Sequence, residues 1–219
     1  MRSWPFLGEG RDGLFLCNMQ YGQLLQQVPV GDSVVALYVP DEQLLKQSFE
    51  RREIPFPYWG KLWPAAKALA QWLQQHPQTV RNKQVLELGA GLGLPSLVAA
   101  GQATSVWCTD VDALALEYVQ ASAAHTGLKN VFTDVVNWTS VPAHLQPDVV
   151  LLSDVNYNPD DFAPLIKTIE RFLHQPCTVI LSTPQRLMAK PFVEALMSHT
   201  YSQQAVTIEQ TAITLLMLQ

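Results

Sequence analysis

From residue 85 to the end of the chain, the hydrophobic positions follow two periods that alternate. Short apolar runs predict strands, and apolar residues three or four apart predict helices. The strands are expected at 85–88, 105–109, 131–136, 149–153 and 177–182, and the helices at 94–100, 113–126, 162–173 and 191–199. This alternation is typical of a parallel sheet covered by helices on both faces.

The last two apolar runs, near 205–208 and 212–218, are too close together for a helix to lie between them. A parallel return requires roughly a dozen residues or more, so these two strands are expected to form an antiparallel hairpin. The pattern therefore predicts an α/β fold with a doubly wound, mostly parallel sheet that ends in an antiparallel hairpin.

The chain before residue 58 has a different character. It contains five prolines, short β-prone pieces at 14–17 and 34–39, and a charged stretch at 50–53. An amphipathic helix is predicted next, over 59–76, with Pro64 acceptable only in its first turn. We therefore expect residues 1–57 to form a small N-terminal β/helical extension with a short β-hairpin, and residues 58–219 to form the main domain.

Composition and charge narrow the possible classes of protein. The 219 residues are 48% hydrophobic with a formal net charge of −5 and no run of Lys or Arg, which disfavours nucleic acid and anionic membranes as partners. Cys17, Cys108 and Cys177 are far apart, and neither they nor the histidines form a disulfide or metal pattern. No segment resembles a signal peptide or approaches the roughly 20 apolar residues of a membrane span, so a cytoplasmic location is expected.

The segment V-L-E-L-G-A-G-L-G-L at 85–94 predicts a strand, a tight glycine turn and the start of a helix. A dinucleotide-binding turn would place its third glycine where Leu94 stands, and no phosphate-binding G-x-x-x-x-G-K-S/T pattern occurs. The remaining form, E-x-G-x-G-x-G at Glu87, Gly89, Gly91 and Gly93, resembles motif I of the seven-strand methyltransferases that use S-adenosylmethionine. A plain strand-to-helix turn is the alternative.

Polar residues at the ends of the predicted strands are candidates for the site, because ligands of doubly wound sheets bind at the carboxyl ends of the strands. Asp110 follows the second strand and could accept both ribose hydroxyls of an adenosine, or it could cap the next helix, as Asp112 could. Asn137 could bond an adenine edge, and Trp138 could form an apolar wall for the base or simply fill the core.

The fourth of these strands ends in S-D-V-N-Y, where Asp154 follows a strongly apolar run. A buried acid is costly unless it is paired or faces a site. Tyr157 lies three residues later, close enough on a turn for both polar tips to converge on one amine. These two residues are therefore candidates for binding a methyl acceptor.

Two segments of the chain make the resemblance specific to one family. D-V-N-Y resembles the Asp-x-x-Tyr signature of a family of protein lysine methyltransferases, and Y-W-G-K-L-W-P at 58–64 is similar to a Trp-containing segment that this family carries before motif I. Asn137 stands where the family often has an acid. The segment S-T-P-Q-R at 182–186 resembles the branch that methylates a subunit of electron-transfer flavoprotein more than it resembles the chaperone-methylating branches. Arg186 is either an ordinary surface arginine or a substrate contact.

The resemblance implies a Rossmann-like, seven-stranded sheet and an S-adenosylmethionine-dependent N-methyltransferase acting on a lysine side chain of a protein. It implies a catalytic role for Asp154 and Tyr157. The implied cofactor-binding residues are Trp63, Glu87, Gly89, Gly91, Gly93, Asp110, Asn137, Trp138 and Ser153. Two alternatives stay open: a methyltransferase acting on a small amine or nitrogen heterocycle, whose flat ring Tyr58, Trp59 and Trp63 could frame, and a non-catalytic cofactor-binding module.

Overall fold

The computed structural model describes residues 19–143 and 145–219. Its main sheet has seven strands: β3 (Gln84–Leu88), β4 (Ser105–Asp110), β5 (Val131–Val135), β6 (Val149–Ser153), β7 (Thr178–Pro184), β8 (Thr200–Ile208) and β9 (Thr211–Leu218). Their order across the sheet is β5-β4-β3-β6-β7-β9-β8. Strands β3 to β7 are parallel, and β9 runs antiparallel to both β7 and β8. The predicted fold class is confirmed, including the closing hairpin.

Helices cover both faces of this sheet. They are α2 (Pro64–Gln75), α3 (Leu94–Ala100), α4 (Ala113–His125), α5 (Phe162–Leu173) and α6 (Lys190–Leu196). Alternate residues of β6 divide between the two sides: Leu151 belongs to the core formed with α2 and α3, whereas Leu152 belongs to the core formed with α5 and α6. Every residue of β6 is buried, which explains why its sequence shows an unbroken apolar run instead of alternation.

Helix α2 is shorter than its hydrophobic pattern predicts. It begins at Pro64, with Trp63 as an extended N-cap, and residues Tyr58–Gly60 form a separate 3₁₀ turn. The reason is proline chemistry, since proline suits the first helical position but keeps the preceding residue out of the helical conformation. The expectation that Pro64 lies in the first turn is confirmed, and the expected start at residue 59 is wrong.

A separate two-stranded sheet precedes the main sheet. Strands β1 (Leu24–Val30) and β2 (Ser33–Val39) form an antiparallel hairpin, followed by helix α1 (Glu42–Glu50). Two hydrogen bonds join this region to α4. The Tyr38 backbone N–H of β2 donates to Ser122 Oγ at 2.9 Å, and the Tyr118 hydroxyl donates to the carbonyl of Gly22, just before β1, at 2.7 Å. The division at residue 57 remains a prediction, and the β-prone piece at 14–17 lies outside the described residues.

Two of the three cysteines lie in the described part of the chain. Cys108 and Cys177 are buried free thiols, and burial raises the pKa of Cys177 to about 12, which keeps it protonated and unreactive. Cys17 lies outside the described residues. Within the described ranges, no helix is both long and apolar enough to cross a membrane.

Candidate functional site

The candidate site lies where the strand order of the sheet reverses. The chain proceeds outward from β3 to β4 and β5 and then returns to place β6 on the other side of β3. The loops that follow β3 and β6 therefore diverge and leave a crevice at their carboxyl ends. A cavity of about 370 Å³ occupies this position. It is lined by ten of the eleven predicted site residues: Trp63, Gly89, Gly91, Gly93, Asp110, Asn137, Trp138, Ser153, Asp154 and Tyr157.

The glycine turn depends on left-handed backbone, since φ is +65° at Gly89, +53° at Gly91 and +68° at Gly93. A Cβ on Gly91 would lie 3.2 Å from the carbonyl oxygen of Trp59. At Gly91 the missing Cβ therefore makes room for the backbone of the segment before α2, which packs directly on the turn.

Asp110 ends β4 and fastens this turn. Its Oδ2 accepts the Gly91 N–H at 2.8 Å, and its Oδ1 accepts the Asp112 N–H at 3.0 Å. Burial raises the pKa of Asp110, and these backbone bonds oppose the rise. Each carboxylate oxygen keeps a second lone pair for another donor. Asp112 is the N-cap of α4, accepting the Leu114 N–H at 3.0 Å, so the capping role falls to Asp112.

Glu87 is the predicted cofactor-binding residue that does not line the cavity. It is fully buried behind the turn, where its Oε2 accepts the Ser96 N–H at 3.0 Å and the Ser96 hydroxyl at 2.5 Å. Its other oxygen, Oε1, has no hydrogen-bond partner among the described residues, and burial raises the pKa of Glu87 to about 8. Glu87 therefore acts on the site by joining the end of β3 to the first turn of α3.

Asn137 and Trp138 begin a short 3₁₀ turn after β5. Asn137 Oδ1 accepts the Thr139 N–H at 2.9 Å and the Thr139 hydroxyl at 2.8 Å, which makes Asn137 the cap of that turn. Trp138 is half-buried and packs on the core, with its ring 3.0 Å from the position of a Cβ on Gly89. The Trp138 ring thus packs on the core and also lines the cavity, and its role as a wall for the base remains a prediction.

An aromatic wall joins the segment before α2 to the D-V-N-Y turn. The Tyr58 and Tyr157 rings stack with centroids 4.7 Å apart and an interplanar angle of 24°, and the Trp63 indole N–H donates to the Tyr58 carbonyl at 2.8 Å. Trp59 also lines the cavity and is 8% exposed. Burial raises the pKa of Tyr157, so its phenol stays protonated at neutral pH.

Asp154 is buried and paired with a basic residue that the sequence left undecided. Arg186 Nη1 donates to Asp154 Oδ1 at 2.5 Å, and Nη2 donates to Oδ2 at 3.1 Å, a bidentate arrangement. Arg186 follows β7, the neighbour of β6, so both residues lie at the same end of adjacent parallel strands. The pairing has no signal in the sequence, because it depends on β6 and β7 becoming neighbours in the sheet. Asp154 also has a left-handed backbone, with φ +55°.

This arrangement fits an adenosine-containing cofactor that carries no phosphate. The cavity offers a carboxylate with free lone pairs at the end of β4, a glycine turn packed tightly on the neighbouring backbone, and a half-buried indole wall. Among its lining residues, Lys61 is the basic one, and it stands on the segment before α2 and not on the glycine turn. A turn of the G-x-x-x-x-G-K-S/T type would carry a lysine of its own, and a dinucleotide-binding turn would have a glycine where Leu94 stands. The cavity therefore suits S-adenosylmethionine better than a nucleotide.

Comparison with known proteins identifies a family and several relatives of this chain. A family model described as lysine methyltransferase matches residues 58–199. The human histone-arginine methyltransferase METTL23 is 32% identical over 62% of this chain and 75% of its own length. The Xenopus tropicalis protein N-lysine methyltransferase METTL21A is 30% identical over 63% of this chain and 66% of its own. The Cryptococcus neoformans protein N-terminal and lysine N-methyltransferase EFM7 is 30% identical over 75% of this chain and 60% of its own.

Solved structures agree at the level of the fold. The Pyrococcus abyssi tRNA (uracil-54, C5)-methyltransferase, solved with S-adenosyl-L-homocysteine, superposes with a TM-score of 0.62 at 13% identity, covering 91% of this chain and 45% of that one. The predicted cofactor, S-adenosylmethionine, is confirmed by the family match. The predicted resemblance to protein lysine methyltransferases is confirmed as well. The chain belongs to the lysine methyltransferase family of seven-strand, S-adenosylmethionine-dependent enzymes.

Proposed function

We propose that this protein transfers a methyl group from S-adenosylmethionine to a lysine side chain of a protein, with Asp154 and Tyr157 receiving the acceptor. The observation that carries the proposal is that Asp154 and Tyr157 line the same cavity as the glycine turn and Asp110. A cofactor on one side and an acceptor on the other would therefore meet within one crevice. Membership of a lysine methyltransferase family supports an enzyme over a non-catalytic module.

The proposed cofactor contacts follow from the geometry of the cavity. Asp110 would accept the ribose hydroxyls with the lone pairs that Gly91 and Asp112 leave free. Asn137 would donate from its side-chain nitrogen, since its oxygen is already engaged by Thr139. The remaining candidates would enclose the ligand by contact: Trp63, Gly89, Gly93, Trp138 and Ser153. Glu87 would act indirectly, by holding the turn.

When bound, the cofactor supplies an electrophilic methyl group on a sulfonium. The protein then needs to align an acceptor lone pair with that methyl and has no need of a nucleophile of its own. A lysine with a pKa near 10.4 must first lose its proton, at a cost of roughly 4 to 5 kcal/mol at neutral pH. The Asp154 carboxylate would attract the ammonium and orient it, bulk water would take the proton, and the Tyr157 hydroxyl would hold the neutral amine.

Incubating the protein with radiolabelled S-adenosylmethionine and a cell lysate tests this proposal. The products are separated into protein and small molecules, and labelled protein is hydrolysed to amino acids. Label in methyllysine is the expected result. Label confined to small molecules would favour the alternative of a small amine or heterocycle acceptor, and Asp154→Asn protein serves as the control for transfer unrelated to this site.

An arginine acceptor is the second candidate. Asp154 already holds a guanidinium in a bidentate pair, that of Arg186, so its carboxylate has the orientation that an arginine substrate requires. Relatives from human and Xenopus laevis are named histone-arginine methyltransferases. Label in methylarginine in the hydrolysate would select this candidate.

A cytoplasmic location is also a proposal, which fractionation of cells expressing the tagged protein would test.

A further inference from the structure

Arg186 occupies the position that the proposed acceptor has to reach. Its two terminal nitrogens bond the two oxygens of Asp154, and within residues 19–143 and 145–219 its guanidinium has no other hydrogen-bond partner. A substrate cation arriving at Asp154 therefore meets a carboxylate that is already neutralised. Two cations on one carboxylate repel each other, so the acceptor and Arg186 compete for Asp154.

Arg186 has space into which it can move. The Arg186 side chain is 30% exposed, compared with 6% for the Asp154 side chain. It borders a second cavity of about 590 Å³, whose wall also includes Asp154 and Trp63 and which therefore adjoins the first. The neighbouring Leu187 is 94% exposed, so the loop that carries Arg186 is not held in place by packing at that residue.

The charges around the second cavity indicate what would draw Arg186 away. Its two acidic lining residues are both engaged, Asp154 by Arg186 and Glu209 by Lys67 at 2.5 Å. Lys61 lines the same cavity with its ammonium 5.0 Å from the centre of the Trp63 ring, and it has no ion pair within the described part of the chain. The cavity therefore presents one unpaired cation and one cation that an incoming carboxylate could capture.

We infer that Arg186 is a gate on Asp154 that opens for acceptor segments carrying an acidic residue beside the target side chain. This inference rests on the proposed function. The substrate carboxylate pairs with Arg186 and Lys61 in the second cavity, and the freed Asp154 receives the substrate ammonium. Segments without an acid leave the Asp154–Arg186 pair closed. Arg186 thus selects substrates and is a positioning residue, since it acts through Asp154.

Two pools of fluorescent peptides test the gate. Each pool has a fixed central lysine among Ala, Gly and Ser, with neighbouring positions drawn from Asp and Glu in one pool and from Asn and Gln in the other. Binding to protein loaded with S-adenosylhomocysteine is measured by anisotropy, and methyl transfer is measured with S-adenosylmethionine. The variants are Arg186→Gln, Arg186→Lys and, as matched control, Arg81→Gln, whose exposed side chain contacts Gln102 at the opposite end of β3.

The wild-type protein is expected to prefer the acidic pool by about tenfold in both measurements, the size of one favourable charge interaction. Arg186→Gln should reduce that preference to about twofold or less and raise transfer to the amide pool, while Arg186→Lys keeps part of it. Arg81→Gln should match the wild type in both pools, and its thermal midpoint is the reference for the folding of the other variants.

Equal binding of both pools by the wild type would overturn the gate. So would an equal loss of transfer to both pools in Arg186→Gln, which would mean that Arg186 only holds Asp154 in place. The proposed function fails separately: if neither pool is methylated but the acidic preference in binding persists and depends on Arg186, the gate stands and the acceptor chemistry is different. Transfer to both pools without preference leaves the methyltransferase and removes the gate.

Discussion

The rings of Tyr58 and Tyr157 lie stacked, 4.7 Å between centroids, although 99 positions separate them in the chain. Tyr58 precedes α2 and Tyr157 follows β6, so the stack joins the two segments that carried the family resemblance. The stack forms one side of the cavity that Asp154 also lines. The two segments that resemble the family are therefore also in contact in the folded protein, at the wall of the cavity.

Asp154→Asn should separate methyl transfer from cofactor binding. Asparagine keeps the shape of the side chain and tolerates the left-handed backbone at this position, φ +55°, better than alanine would. We expect transfer to fall by about a hundredfold, roughly 3 kcal/mol of transition-state stabilisation, while S-adenosylhomocysteine affinity stays within a few-fold. Calorimetry and initial rates measure the two effects. Loss of cofactor binding instead would make Asp154 a cofactor ligand.

Tyr157→Phe should lower transfer less than Asp154→Asn, by about tenfold, because it removes one hydrogen bond and keeps the aromatic stack. Burial raises the pKa of Tyr157, so its hydroxyl is protonated throughout the neutral range. The rise in rate between pH 7 and about 9 should therefore persist in Tyr157→Phe, since it reflects deprotonation of the acceptor lysine. A rise that disappears in the variant would assign proton removal to Tyr157.

Asp110→Asn should weaken binding of S-adenosylhomocysteine by about tenfold to a hundredfold, through the loss of a charged acceptor. The matched control is Asp112→Asn, two residues away, which keeps a good helix N-cap and does not change the Asp110 oxygens. Calorimetry of both variants gives the comparison. Equal affinities in the two variants would show that Asp110 serves the turn and not the ribose.

Gly91→Ala should destabilise the protein more than Gly127→Ala. Both glycines have positive φ, +53° and +70°, so each substitution costs about 1 kcal/mol of backbone strain. A Cβ at Gly91 would also press on the Trp59 carbonyl oxygen at 3.2 Å, whereas a Cβ at Gly127 would have no described atom within 4 Å. Urea unfolding measures the difference, and only Gly91→Ala should also lose cofactor affinity. Equal stabilities would mean that the turn shifts freely.

Glu87→Gln should reduce the loss of stability at rising pH. Burial raises the pKa of Glu87 from 4.5 to about 8, so in this interval the folded state holds a proton that the unfolded state has released. Its contribution is thus complete below pH 4.5 and is lost as pH rises toward 8, by an amount on the order of a few kcal/mol. Urea unfolding at pH 5 and pH 8 should show wild type and variant nearly equal at pH 5 and the variant more stable at pH 8. Parallel pH profiles would contradict the raised pKa.

The sequence alone determined the sheet and its closing hairpin, and ten of the eleven predicted site residues line the cavity. Buried parallel strands require continuous apolar runs, the turn after β3 requires glycines, and ligands of such sheets bind at the carboxyl ends of the strands, so each of these features has a local signature. Helix α3 and strand β6 begin and end at the residues that their patterns predict.

The tertiary structure decided what each polar group does, because pairing depends on which strand ends and loops become neighbours. Glu87 accepts a hydrogen bond from the Ser96 hydroxyl, and Asp110 accepts one from the Gly91 N–H. Asp154 pairs with Arg186, which lies 32 positions later in the sequence. A carboxylate binds whichever donor the fold brings within about 3 Å, and no periodicity in the chain encodes that distance. Residue types therefore predicted which side chains line the cavity, and the packing of β3, β4, β6 and β7 decided which partner each residue has.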